Sequence, residues 1–449
     1  MKRVSVVERA LEDIGWGKYH NFLFLNCCCG WLTALMWQSA VANVMAEYPD
    51  LSLFEYTMLG ISVSAGSAAG AVLFSSLSDR YGRGYIFKKI IILTSISALA
   101  LILSANYVMV FISVFFVGLG TGGDVVCPPP VMIESTPPSR RGIIAVMNIG
   151  YCIGPLLAQI SSLLLSLYWD TSIMARWRIL AICIFVLTVG FMIMRQYIYE
   201  SPIFLFGNDN EEFLKVIGRI AKENERFSFE TRAPLLVNKQ ATSDENRVKT
   251  HLPFIEIFRG RNLKPTILLT SSISLFNFSF NGIMLFLPAF LQVDSMGLRY
   301  TIIGIQQFAG IIGLFVAMKT VDSKIGRRYT MGGGYLIGGI LLLMFLFSTE
   351  LNFIIILAVA YYFFQMMGVA GKNLIGAESF GPQIRGKALG FIYLVARIAA
   401  VLSPVVSGFL LDISDGNKLL PLASFAIGLM LSGVTASFLD ETRPNLVKK

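Results

Sequence analysis

Three charged stretches of this chain recur at an offset of 244 residues, from Gly82-Arg83 to Gly326-Arg327, from Glu134 to Glu378 and from Arg141-Gly142 to Arg385-Gly386. The first lies in Ser78-Asp79-Arg80-Tyr81-Gly82-Arg83-Gly84 and returns as Ser323-Lys324-Ile325-Gly326-Arg327-Arg328. The other two belong to one turn, which reads E-S-x-x-P-x-x-R-G in both copies. Three matches at one offset mark a chain built twice, so the fold must consist of two similar halves. Between the charged turns lie long apolar runs.

Those runs decide the solvent. Hydrophobic residues make up 55% of the chain and charged residues 14%, against about 25% charge in a soluble domain. The runs fit helices of about 20 residues crossing a bilayer, and the strict polar–apolar alternation of barrel strands is absent. An all-α membrane protein is expected, with 12 transmembrane helices in two pseudo-symmetric six-helix halves. The spans fall near 21–46, 53–77, 85–105, 107–132, 142–167 and 177–198. The second set falls near 265–291, 300–320, 329–348, 352–377, 386–411 and 418–439. These spans divide the chain into a cytoplasmic N-terminus (1–20), a first half (21–198), a linker (199–263), a second half (264–439) and a tail (440–449).

Orientation follows from the basic residues. Four of them, Arg176, Arg178, Arg299 and Lys418, would lie on one side and two, Lys372 and Arg397, inside spans; the other 31 of the 37 fall on the opposite side. By the positive-inside rule that side is cytoplasmic, with both termini. The net charge of +9 is thereby explained by loops, and no nucleic-acid partner is expected. In the linker, Phe213, Leu214, Ile217 and Ile220 recur at helical spacing and predict an amphipathic helix. Residues 228–250 are polar and read as flexible, and His251 opens a second short stretch with Phe254, Ile257 and Phe258. The six cysteines sit in apolar runs without metal or disulfide spacing, so no metal and no cofactor is expected. No enzyme is expected, since the chain has only two histidines, His20 and His251, and lacks a catalytic constellation.

These motifs resemble the major facilitator superfamily. Asp79-Arg80-x-Gly82-Arg83 stands between spans 2 and 3, and its counterpart between spans 8 and 9. The E-x-x-P-x-x-R-G turns follow spans 4 and 10. Tyr199-Glu200-Ser201-Pro202 follows span 6 and Asp440-Glu441-Thr442-Arg443 follows span 12. Phe116 to Gly123, with its G-x-G-x-G-G pattern, and Arg385 through Arg397 to Pro404 resemble the synaptic-vesicle-protein-like and organic ion transporter branch. The resemblance implies transport by rocking of the two halves, with a small-molecule substrate and room for a coupled proton. Departures occur at Val114, Ala34, Trp37 and Pro128, where relatives carry charged residues.

The same resemblance implies an inner gate of Asp79, Arg80, Arg83, Glu134 and Arg141 in one half, and Lys324, Arg327, Glu378 and Arg385 in the other. Candidate substrate residues come from the spans. At 1.5 Å per residue, Arg397 lies roughly 18 Å beyond Arg385 and Asp124 roughly 15 Å before Glu134. Both heights are near the middle of a core about 30 Å thick, where a charge is costly and faces a cavity or a partner. Arg397 suits a carboxylate or phosphate, or an ion pair with Asp124. Asp124 itself suits a proton carrier, a counter-charge, or a partner for a polar group of span 1 or 5. Lys372 lies only roughly 9 Å from Glu378 and reads as inner gate or as part of a substrate path. The uncharged candidates are Trp37, Gln38, Asn148, Asn277, Asn281, Gln306, Tyr361 and Gln365. An organic anion is the expected solute. A sugar or polyol, or a receptor that keeps the fold without transport, are the alternatives. The lipid bilayer is the expected surrounding, in the plasma membrane or an organelle, and a monomer suffices because one chain holds both halves.

Overall fold

A computed structural model describes residues 2–48, 51–169, 174–206, 208–225, 254–291, 295–321, 323–348, 350–380, 384–414, 417 and 419–442. The polar stretch 228–250, His251, Lys418 and Arg443 lie outside the described residues, as do the side chains of Arg141 and Arg385.

The described chain is nearly all helical, and eleven of its helices are long and apolar enough to cross a membrane. The remaining long helix is span 1, Lys18–Glu47, whose 30 residues rise about 45 Å. It is more polar than the others because protein, not lipid, surrounds it. Its Asn43 Nδ2 donates to Ser162 Oγ at 2.9 Å, and its Ser39 Oγ accepts from Gln159 Nε2 at 2.8 Å. Twelve spanning helices therefore arise, as the duplication implies. In the first half they are span 1, Leu53–Tyr81, Arg83–Ile102, Tyr107–Val126 continued by Pro128–Ser135, Gly150–Tyr168 and Arg176–Arg195. In the second they are Leu263–Phe290, Met296–Thr320, Gly326–Leu346, Leu351–Glu378, Arg385–Ile413 and Leu419–Ser437.

Glycines set the closest helix contact. Gly66 and Gly70 of span 2 face Gly118 and Gly122 of span 4, and a Cβ at any of the four would strike the partner backbone. Two small-xxx-small rows thus let the backbones touch, which gives the G-x-G-x-G-G pattern a packing role. Gly334 and Gly371 bring the backbones of spans 9 and 10 together in the same way. Gly122→Leu is expected to overpack this seam at a cost of about 1–3 kcal/mol. A lower thermal midpoint and reduced expression in detergent check it.

The charged turns need glycine for another reason. Gly82 and Gly326 have φ of +108° and +77°, a conformation in which a Cβ would be strained. Gly82 alone separates spans 2 and 3, and Gly326 opens span 9 a few residues after span 8 ends at Thr320.

Three local expectations change. Residues 1–20 are not a simple polar lead: Lys2–Ile14 is a helix that buries Val7, Ala10, Leu11 and Ile14. These sit at i, i+3, i+4 and i+7, one face of a helix. That face packs with Phe213, Val216, Ile217 and Ile220 of the linker helix Asn210–Glu223 beneath the first half. Span 5 begins as a 3₁₀ segment, Pro138–Ile149, before its α-helix starts. His20, whose place just before span 1 predicts the cytoplasmic surface, is instead fully buried between the Ser135 carbonyl and the Asn224 side chain, at 3.0 Å from each.

Candidate functional site

The two halves meet around a central cavity of about 40 Å³. That is room for a few water molecules, so a solute requires it to widen. Ala34, Leu35 and Gln38 of span 1, Ser67 of span 2, Thr121 and Val125 of span 4, and Tyr151 of span 5 form the first half's wall. Phe276, Asn277, Phe280 and Asn281 of span 7, Val369 and Lys372 of span 10, and Arg397 of span 11 form the other.

Polar contacts cross this cavity. Gln38 Nε2 donates to Asn281 Oδ1 at 2.9 Å. Arg397 donates to Ser67 Oγ at a long 3.4 Å. Asn277 and Asn281, one turn apart, donate their amides to the Ile273 and Asn277 carbonyls of their own helix at 2.8 and 3.0 Å. The Asn277 carboxamide oxygen remains to accept, whereas that of Asn281 already accepts from Gln38. The Lys372 ammonium lies 4.8 Å from the centre of the Phe276 ring, which stacks on Phe280 and Tyr335. Among the described residues no carboxylate lines the cavity, although two cations do.

Of the expected substrate residues, Arg397, Gln38, Asn277 and Asn281 come together here, and Lys372 joins them. Ser67, Tyr151 and Phe276 were not anticipated; their residue types are too common in spans to signal a site. Trp37 turns away and donates to Thr188 Oγ1 of span 6 at 3.0 Å. Gln306 Nε2 donates to Tyr361 Oη at 3.3 Å inside the second half, and Gln365 is buried with its amide unpartnered. Asn148 is buried near the start of span 5. None of these five lines the cavity.

The pairing expected of Asp124 is corrected. Its partner is neither Arg397 nor a group of span 1 or 5, but Arg195 in the last turn of span 6, at 2.5 Å. Both side chains are almost wholly buried, at 0% and 1% exposure. Arg195 also donates to the Phe87 carbonyl at 3.2 Å and lies over the Phe87 ring. This pair ties spans 3, 4 and 6 of one half together and stands behind the cavity wall.

At the charged end each half carries the same network. In the first, Arg83 bridges Glu134 at 3.0 Å and Asp79 at 3.3 Å, and Ser201 Oγ donates to Glu134 at 2.6 Å. Glu200 caps span 3 by accepting from the Gly84 and Tyr85 amides, both at 2.8 Å. In the second half Arg327 pairs with Glu378, and Thr442 Oγ1 donates to Glu378 at 2.8 Å. Glu441 accepts from the Arg327 and Arg328 amides, both at 3.1 Å. Glu200 and Glu441 are therefore parts of the networks that the expected gate omitted. Arg80 lies over the Tyr81 ring and Lys324 is exposed. Among the described residues each network stays within its own half.

The opposite end is closed across the halves. Tyr300 at the start of span 8 donates to Glu47 at the end of span 1, the Tyr56 and Phe286 rings meet at 5.4 Å, and Gly60 abuts Pro404. Towards the charged end spans 2 and 11 part, leaving a groove of about 520 Å³ beside Val72, Leu73 and Leu394. A hydrogen bond to a carboxylate contributes about 1.5–3 kcal/mol, so Tyr300→Phe is expected to favour opening at this end by about tenfold or more. A cysteine placed at Asn281 would then label faster with a maleimide applied from that side.

Comparison with known proteins agrees with this architecture. The profile of the family described as "Sugar (and other) transporter" matches residues 32–443. The MFS siderochrome iron transporter 1 of Ceriporiopsis subvermispora is 23% identical over 440 residues, covering 90% of this chain and 84% of that protein. The cis,cis-muconate transport protein of Acinetobacter baylyi is 23% identical over 403 residues, covering 88% and 87%. Among solved structures, the partially occluded inward-open xylose transporter XylE from E. coli superposes with a TM-score of 0.74 at 18% identity, covering 94% of this chain and 98% of that one.

Proposed function

The chain belongs to the sugar (and other) transporter family of the major facilitator superfamily, and from that premise we propose that the small solute it transports is an organic anion held by Arg397. Members of this family move solutes across membranes and are not enzymes. One observation carries the choice of solute. Arg397 stands half-buried in the central cavity with no carboxylate opposite, its hydrogen bond a long one to Ser67. An unpaired guanidinium within a membrane is costly unless something negative comes to it, and its planar fork fits a carboxylate or phosphate. A relative that carries muconate, an organic anion by its name, fits the same reading.

In this account the charged end faces the cytoplasm, following the positive-inside rule. The solute enters from that side, where spans 2 and 11 part. The halves then rock about the cavity, as in transporters built of repeats. The paired networks keep each half rigid while it moves, and Tyr300 with Glu47 forms the latch at the other end. A sugar or polyol is the second reading, favoured by Gln38 on one wall and Asn277 and Asn281 on the facing one.

The test is thermal stability of the purified protein against a panel of metabolites, with Arg397→Ala beside the wild type. A ligand that binds the folded state raises the midpoint. Organic anions are expected to stabilise the wild type and not the variant. Stabilisation by neutral sugars alone, kept in the variant, would overturn the anion reading.

A further inference from the structure

Lys372 has no part in the reading above, yet it lines the same cavity as Arg397. It is 7% exposed and rests on the Phe276 ring at 4.8 Å. Among the described residues no carboxylate pairs with it or with Arg397. Asp124, near the middle of span 4, is already held by Arg195 at 2.5 Å. The other described carboxylates of the spanning helices stand at or near the helix ends. The cavity thus carries two positive charges and no negative one.

A single negative charge would leave one of the two cations buried without a partner, which is the costly arrangement. Two negative charges would neutralise both. The distance between the cations also suits two anionic groups on one molecule. Measured from the charged ends of their helices, Lys372 and Arg397 differ in height by about 9 Å at the backbone, and both side chains are long and flexible enough to shorten that gap. The lining that they share holds the rings of Phe276 and Phe280 and the carboxamides of Asn277 and Gln38. An apolar or unsaturated body with an anionic group at each end fits such a wall.

We infer that the solute is a dianion, a short dicarboxylate or a phosphate-bearing carboxylate, with one anionic group on Arg397 and the other on Lys372. This rests on the anion reading of the cavity and deepens it. Lys372 becomes the residue that separates dianions from monoanions, whereas the aromatic contact with Phe276 holds the ammonium in place while the cavity is empty.

The experiment measures dissociation constants for matched pairs on the purified full-length protein at neutral pH. The pairs are trans,trans-muconate with sorbate, adipate with hexanoate, and succinate with butyrate. Each pair has one carbon number and differs by one carboxylate. For the best-fitting pair the dianion is expected to bind at least about tenfold more tightly, the gain of one charged hydrogen bond. In Lys372→Gln the ratio should fall to near one, and in Lys372→Arg it should be kept. The Arg variant keeps the test open if the Gln variant does not fold. Equal binding of both members by the wild type, or a ratio unchanged in Lys372→Gln, overturns the two-charge site. If monoanions bind in an Arg397-dependent way and the ratio is near one, only this inference falls. If no anion binds the wild type at all, the anion reading falls with it.

Discussion

Arg397→Gln is expected to weaken binding of the proposed organic anion by about 100-fold or more and to stop its transport, while the empty protein keeps its fold. The size follows from the geometry. Truncating one member of a buried charged contact typically costs about 2–5 kcal/mol in binding, and each 1.4 kcal/mol is a factor of about ten. The fold should survive because, among the described residues, the guanidinium makes a single long hydrogen bond, to Ser67 at 3.4 Å. Removing a buried charge without a carboxylate partner relieves the membrane core of a cost rather than adding one. The signature is therefore a variant with a thermal midpoint at or above that of the wild type, unresponsive to every anion. A variant that unfolds instead would mean that Arg397 is structural. Arg397→Lys should recover only part of the binding, since an ammonium lacks the planar fork.

The second large effect is on stability. Arg195→Gln leaves Asp124 buried in the first half without its partner, and breaking a buried ion pair costs about 3–5 kcal/mol. The pair is 0% and 1% exposed, so solvent cannot take the missing partner's place. A loss of that size is a large share of what holds a marginally stable fold together. Low yield and an early thermal transition are expected. Asp124→Leu combined with Arg195→Met removes both charges at once and should regain most of the loss, because an apolar replacement of a whole pair is often neutral or better. The double variant should also keep anion binding, because neither residue lines the cavity. If it folds and fails to bind, the pair belongs to the transport cycle and not only to the frame.

These two residues show where the sequence is informative. Arg397 was visible because a charge far from either end of an apolar run has few explanations, and helix rise fixes its height. Arg195 was not visible. It closes span 6 at the charged end, where basic residues are expected on topological grounds alone. Its burial depends on Phe87 and Asp124, which come from two other helices. Asp124 shows the complementary limit. Its height was readable, but not the face it occupies. Thr121 and Val125 of the same helix line the cavity, and a step of one residue turns a helix by about 100°, enough to carry Asp124 out of it. Trp37 and Gln38 divide in the same way, one towards Thr188 and the other towards Asn281.

The duplicated turns were the most legible part. Charge and glycine between apolar runs can only be a loop, and the offset ties each loop to its copy. The structure adds that Glu200 and Glu441 cap spans 3 and 9 at corresponding places. That role needs the end of each half folded back on its start, which spacing along the chain does not reveal. The N-terminal helix shows the opposite case. Its apolar face was present at residues 7, 10, 11 and 14, but a short polar lead before a span hides so small a stripe.

The most direct test of the account is uptake into liposomes that contain the purified protein, preloaded with unlabelled solute and offered the same labelled solute outside. Exchange needs no knowledge of the coupling ion, so it reports the carried solute alone. Counterflow of an organic anion is expected, absent in Arg397→Gln, with no counterflow of neutral hexoses or pentoses. Counterflow of a neutral sugar that persists in Arg397→Gln would contradict it.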